Sequence, residues 1–99
     1  MQRLWTWEGK YFGYRRRNDL FTATGHHVGC FRGDEVFDAA GMYLGEIHDS
    51  RLIRNRAKRG RMGPRAERTS GPVVPALADV DARKPTGQFE GFPPAESFH

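Results

Sequence analysis

The sequence predicts an all-β fold, an antiparallel meander of about seven short strands built from three 16-residue hairpin repeats. Two observations support it: a pair of glycines recurs every 16 residues in the first half of the chain, and each copy consists of two short apolar runs around a polar turn. The copies occupy residues 4–15, 20–31 and 36–47. We therefore expect a hairpin-repeat domain over residues 1–55, a basic connector over 56–68 and an irregular, Pro/Gly-rich C-terminal arm over 69–99.

Each repeat is predicted to form a β-hairpin. In the third copy, Val36-Phe37 is the first strand, Asp38 to Gly41 is the turn and Tyr43 to Ile47 is the second strand. A polar residue at the first turn position and glycine at the fourth suit a type I turn followed by a residue with positive φ. Leu44 and Ile47 are three residues apart, so they share one face of the strand only if a bulge intervenes. After the third copy, Arg51 to Asn55 is predicted to be one more strand.

Both faces of the predicted sheet carry large apolar side chains, with Phe12 and Leu44 on one face and Tyr11 and Tyr43 on the other. A domain this small usually needs disulfides, metals or oligomerisation to be stable. The single cysteine, Cys30, excludes a disulfide within the chain, and we expect neither a metal nor another cofactor. We therefore expect the domain to be stabilised by assembly into a symmetric homo-oligomer, with a tetramer favoured.

Basic residues are concentrated in residues 51–68, which hold eight basic residues and one acidic residue in a chain of net charge +4. Such clusters neutralise phosphates, so an alternative function is nucleic-acid or polyanion binding. The candidate anion-binding residues are Arg54, Arg56, Lys58, Arg59 and Arg61. The opposing interpretation is a solvated connector, or an arm that pairs with acidic patches of a partner subunit. The segment has no interleaved aromatic residues for base stacking.

The C-terminal arm contains five of the six prolines, between Pro72 and Pro94. This composition favours extended, irregular structure that forms no packed core by itself. Phe89, Phe92 and Phe98 are natural anchors. A neighbouring subunit is one surface on which such an arm can pack.

Catalytic and metal-binding patterns are weak in this sequence. Adjacent histidines of one strand point to opposite faces, so His26 and His27 do not readily share a metal, and His48 with Glu46 supplies too few ligands. No nucleophile elbow, phosphate loop or paired-cysteine motif occurs, so we predict a non-enzymatic scaffold or binding module without catalytic residues. A metal or small-molecule site at a subunit axis, where copies of one histidine could converge, is a further alternative, as is a ligand-binding surface of exposed aromatic residues.

A membrane location is not expected. No stretch approaches the roughly 18 apolar residues of a membrane span, and the first residues lack the apolar run of a signal peptide. We therefore expect a cytoplasmic protein.

The first half of the chain resembles the four-fold β-flower proteins, a family of uncharacterised bacterial proteins. The residues that carry the resemblance include Gly9 to Arg15, Leu20-Phe21, Val28-Gly29, Gly33 to Val36, Gly41 to Ile47 and Arg51 to Ile53. The resemblance covers about residues 4–56 and implies small all-β subunits arranged around a four-fold axis. It implies no activity. The strands also look slightly like those of PRC barrels, which the strict 16-residue period fits less well.

Overall fold

The computed structural model describes residues 1–98 and confirms the all-β prediction. Seven strands lie within the first 55 residues, and an eighth strand comes from the arm. The strands are β1 (Gln2–Thr6), β2 (Tyr11–Arg16), β3 (Asp19–Thr22), β4 (His27–Arg32), β5 (Glu35–Phe37), β6 (Tyr43–His48), β7 (Arg51–Asn55) and β8 (Phe89–Gly91). Short 3-10 helices are formed by Arg56–Lys58 and Ala95–Ser97.

The first seven strands close into a barrel. Strands that follow one another along the chain pair antiparallel, and β1 also pairs in parallel with β7. Two backbone hydrogen bonds of 3.0 Å at this seam run from Trp5 N to Ser50 O and from Trp7 N to Leu52 O. Strand β8 pairs with the end of β7, at residues 53–55. The sequence predicted a meander but not its closure, and closure gives the sheet an enclosed face that needs no partner.

A β-bulge occurs at the same place in each of the three hairpins. The register shifts between Leu4/Trp5, Leu20/Phe21 and Val36/Phe37, positions that are 16 residues apart. The extra residue on the opposite strand of the third hairpin is Leu44. This bulge turns both Leu44 and Ile47 into the core, where each is 9% exposed, which resolves the imperfect alternation of the sequence.

The tip of each hairpin has a glycine with positive φ, as predicted. The φ angles of Gly9, Gly25 and Gly41 are +94°, +84° and +85°. At the other end of the barrel, the Asp49-Ser50 loop joins β6 to β7, and both residues have positive φ although neither is glycine.

The barrel core is filled from both halves of the chain. Its buried apolar residues are Leu4, Phe12, Leu20, Val28, Phe31, Val36, Leu44, Ile47, Leu52 and Phe92. Phe92 comes from the arm and packs edge-on against Phe12, with ring centroids 5.5 Å apart. Its ring also lies directly over Gly45, where any side chain would collide with it. The arm is thus part of the folded unit.

Candidate functional site

The outer face of the barrel is covered by residues 61–83, which we call the strap. The strap makes one backbone hydrogen bond to the carbonyl oxygen of each hairpin-tip glycine. These bonds are Gly63 N to Gly41 O at 2.8 Å, Gly71 N to Gly25 O at 3.0 Å and Val80 N to Gly9 O at 2.8 Å. The strap therefore visits the three hairpins in the reverse of their chain order.

Small residues of the strap lie against aromatic rings of the barrel. A Cβ atom added to Gly63 would lie 2.4 Å from the Phe37 ring, and one added to Gly71 would lie 2.2 Å from Tyr14 Oη. At the first hairpin, Trp5 Nε1 donates a hydrogen bond of 2.9 Å to Ala78 O. The barrel thus selects an extended segment with glycine at two of these contacts.

Ionic contacts hold the end of the strap. The guanidinium group of Arg51, whose side chain is 5% exposed, lies 2.7 Å from Asp81 Oδ1. It also donates a hydrogen bond of 3.1 Å to Trp7 O. At the neighbouring tip, Asp79 Oδ1 accepts a hydrogen bond of 3.0 Å from Tyr11 N. The end of the strap is therefore held through its side chains, whereas the middle of the strap is held mostly through its backbone.

A partly buried ionic cluster lies beside the third hairpin, centred on the buried Glu46. Its carboxylate accepts hydrogen bonds of 2.7 Å from Tyr43 Oη, His48 Nε2 and Lys58 Nζ. Lys58 Nζ also lies 2.7 Å from Glu35 Oε2. Every member of this cluster has a partner of complementary charge or hydrogen-bonding capacity, so the cluster is well suited to hold the connector on the barrel.

The contacts within this cluster shift the pKa values of its members. Burial raises the pKa of Glu46, but the hydrogen bonds from Lys58, Tyr43 and His48 outweigh it and leave the pKa below its usual value. Burial lowers the pKa of Lys58, and the hydrogen bonds to Glu35 and Glu46 reverse this to a raised pKa. Burial raises the pKa of Tyr43 well above its usual range. Glu46 and Lys58 are therefore both ionised near neutral pH.

The five candidate anion-binding residues are brought onto one side of the barrel, but most already have partners. Lys58 and Arg61 both contact Glu35, at 2.7 and 3.2 Å, and Arg59 contacts Glu90 at 3.1 Å. Arg56 donates a hydrogen bond of 2.6 Å to the Gly87 carbonyl oxygen. Arg54 lies on β7 and is half-buried, and its Nε atom is buried without a hydrogen-bond partner among the described residues.

A surface groove of about 310 Å³ lies at the closing seam of the barrel. It is lined by Trp7, His48, Asp49, Ile53, Thr86 and Phe89. The His48 ring packs edge-on against Phe89, with centroids 5.7 Å apart. The groove thus combines apolar walls with a histidine and a carboxylate on its rim.

The histidines do not converge on a metal site. His27 Nε2 lies 2.9 Å from Asp19 Oδ1, on the strap-covered face, whereas His48 lies at the groove. Over residues 1–98, no group of three or more His, Cys, Asp or Glu side chains is placed to hold a metal ion. Within the same residues, no helix is both long and apolar enough to cross a bilayer.

Comparison of the chain with protein-family models, curated proteins and solved structures finds no match. The candidate functions therefore depend on the geometry described above.

Sequence reasoning missed both the strap contacts and the groove. One signal for the strap was present, because Gly63 and Gly71 are eight residues apart, half the period of the hairpin repeat. The groove had no such signal, because Trp7, His48 and Phe89 come from three distant parts of the chain.

Proposed function

We propose that this protein is a non-enzymatic binding module that holds an extended polypeptide segment across its three hairpin tips. In one chain the segment is the protein's own strap. We further propose that copies assemble as a homo-oligomer, with a tetramer favoured, by exchanging this segment. The observation that carries the proposal is the set of three equivalent backbone hydrogen bonds from the strap to the tip glycines.

Backbone hydrogen bonds between an extended segment and an exposed edge or tip supply affinity, while pockets for selected side chains supply specificity. Here the selection is for small residues, since the Phe37 ring and Tyr14 Oη exclude a Cβ atom at positions 63 and 71. Because none of the backbone contacts depends on the strap belonging to the same chain, a second copy satisfies them equally well.

The chain also has a natural hinge for such an exchange. Gly60 has a φ angle of +78°, and a Cβ atom added there would meet nothing within 4 Å. Residues 61–98 follow this hinge and carry the strap, β8 and Phe92. Exchange of identical elements between copies preserves the contacts of the monomer and is an economical route to oligomers. We also propose that four barrels are arranged around a four-fold axis, as the family resemblance implies.

The strap covers much of the apolar outer face that was one reason to expect an oligomer. The sequence predicted an oligomer because both sheet faces are apolar, yet barrel closure buries one face and the strap covers much of the other. Exchange of the strap is therefore the form of oligomerisation that best fits the structure, and the oligomeric state itself stays a prediction.

The test uses disulfide formation between single-cysteine chains. His26 and Ser70 are paired residues of an antiparallel bridge, a geometry whose Cα separation of roughly 4.5–5.5 Å suits a disulfide. In a Cys30→Ser background, one chain carries His26→Cys and the other Ser70→Cys. After mixing and mild oxidation, exchange predicts a covalent heterodimer, and light scattering is expected to give the mass of a tetramer.

The control is a chain that carries both cysteines. It closes an intrachain disulfide if the strap lies on its own barrel. Efficient intrachain closure together with no heterodimer and a monomeric mass would refute the exchange.

Nucleic-acid or polyanion binding through residues 51–68 is the second candidate. Arg65 and Arg68 are exposed on this segment and favour it, whereas the partners of Lys58, Arg59 and Arg61 oppose it. It predicts binding of a labelled DNA duplex whose affinity falls steeply with added salt. Serine at all five candidate positions and at Arg65 and Arg68 is expected to abolish that binding, and salt-independent weak binding would contradict it.

A further inference from the structure

The groove at the barrel seam has an electron-rich lining. Its aromatic walls are Trp7 and Phe89, and its rim carries the Asp49 carboxylate. Faces of aromatic rings attract cations, and most strongly when the cation is a guanidinium or ammonium group over tryptophan. The walls and the carboxylate of this groove therefore favour a positively charged occupant.

The second rim residue, His48, is held in place by Glu46. Its Nε2 atom lies 2.7 Å from Glu46 Oε2, and the ionised Glu46 carboxylate can only accept a hydrogen bond. The hydrogen of this contact is therefore on Nε2, and the contact fixes the ring at the rim of the groove.

The chain itself places a guanidinium group against two of the lining residues. Arg83, the last residue of the strap, lies over the Trp7 ring with its Cζ atom 5.1 Å from the centroid. Its Nη1 atom lies 3.2 Å from Asp49 Oδ2. Trp7 and Asp49 thus already form two sides of a guanidinium site that the strap occupies.

Arg83 is the cation that contacts Asp49. Arg51 is paired with Asp81 at 2.7 Å, and Arg83 Nε also lies 3.8 Å from Asp81 Oδ2. The Arg83 side chain is 36% exposed and that of Asp49 is 77% exposed. An exposed pair of this kind contributes little to stability, so a competing cation can replace Arg83 at small cost.

We propose that the seam groove is a binding site for a small alkylguanidinium compound, whose cationic head takes the place of Arg83 on Trp7 and Asp49 and whose alkyl chain lies along Ile53 and Phe89. The site is compatible with strap exchange, because Arg83, Thr86 and Phe89 all follow the Gly60 hinge and reach the seam together, whether they come from the same chain or from a second copy.

The experiment is calorimetric titration of the full chain with butylguanidinium, an alkylguanidinium probe with a single charge. Arg83→Ala removes the internal competitor and is expected to bind butylguanidinium about two- to fivefold more tightly than the unaltered chain, the size of a weak exposed ion pair. Adding Asp49→Asn to Arg83→Ala is expected to reverse that gain. Lys84→Ala is the matched control, since it removes a neighbouring exposed cation that does not lie on Trp7, and its affinity is expected to equal that of the unaltered chain.

Three results would overturn the proposal. The first is the absence of saturable binding by an Arg83→Ala variant whose circular dichroism shows a folded barrel. The second is equal binding of butylurea, a neutral compound of similar shape, which would remove the role of charge. The third is binding of an arginine-containing peptide but not of butylguanidinium, which would assign the site to a protein partner.

Discussion

The hydroxyl group of Tyr14 donates a hydrogen bond of 2.6 Å to the carbonyl oxygen of Pro72. Tyr14 is completely buried, yet it lies on the outer face of the barrel, where the strap covers it. Burial raises the pKa of this hydroxyl above its usual value, so Tyr14 remains a neutral donor at physiological pH. A residue that an isolated sheet would expose is thus made part of the interior by a segment 58 positions away in the chain.

Gly71→Ala is expected to lower the free energy of unfolding by about 1–3 kcal/mol, the usual effect of forcing atoms into a packed site. The added Cβ atom would lie 2.2 Å from Tyr14 Oη and 3.0 Å from the Phe21 ring. Urea unfolding measures the change. In a Tyr14→Phe background the obstructing oxygen is absent, so the same substitution should cost less; equal costs in both backgrounds would contradict the contact.

Phe92→Ala is expected to cost about 3–5 kcal/mol, as for other large-to-small changes in a core. Phe92 is 4% exposed and packs on Phe12, although it belongs to the arm. Thermal or urea unfolding followed by circular dichroism measures the loss. Val73→Ala provides the control within the arm, since Val73 is 75% exposed and should change stability by less than about 0.5 kcal/mol. A Phe92→Ala cost as small as that of Val73→Ala would place Phe92 outside the core.

Ser50→Gly is expected to raise the free energy of unfolding by about 0.5–1 kcal/mol. Ser50 has a φ angle of +58°, which costs an ordinary residue roughly 1–2 kcal/mol and glycine nothing, although glycine loses more entropy on folding. Asp-Gly is also a favoured pair for a two-residue hairpin loop. Ser70→Gly tests the same change where φ is not positive, and it should be neutral or destabilising. A loss of stability in Ser50→Gly would contradict the loop geometry.

Glu46→Gln is expected to lower stability at pH 7 by about 1.5–3 kcal/mol, because it removes charged hydrogen bonds from a buried group. The folded pKa of Glu46 lies below its usual 4.5. The ionised carboxylate therefore contributes stability that is complete above pH 4.5 and is lost as pH falls through the lower folded value. Unfolding measured from pH 7 to pH 3 should show a shallower slope for the variant.

Glu67→Gln is the control for that pH series, because Glu67 is exposed. Its pH profile is expected to follow that of the unaltered chain. A Glu46→Gln profile parallel to it would mean that the carboxylate carries no pH-dependent stability.

The hairpins were predictable from the sequence because their signals are local. The turn from Asp38 to Gly41 places glycine where positive φ is required, and the observed φ of +85° at Gly41 confirms it. The three-residue spacing of Leu44 and Ile47 indicated a bulge, and the register shift beside Val36 supplies it. Such features depend on residues within one hairpin, so one copy of the repeat is enough to determine them.

The site was predicted less well. The basic segment was apparent from its charge, but the pairing of Lys58 with Glu35 and Glu46 was not, because those carboxylates lie in other strands. The groove could not be predicted for the same reason, since Trp7 and Phe89 line one groove only once the barrel has closed.

The sequence by itself determined an all-β chain, its three hairpins, their turns and the strand from Arg51 to Asn55, because each of these follows from φ preferences and side-chain alternation over a few residues. Only the tertiary structure decided that β1 meets β7, that Phe92 enters the core and that the strap crosses the hairpin tips. Those contacts join residues tens of positions apart in the chain. Which distant groups meet depends on how much apolar surface the whole chain can bury and how many backbone hydrogen bonds it can form at the same time.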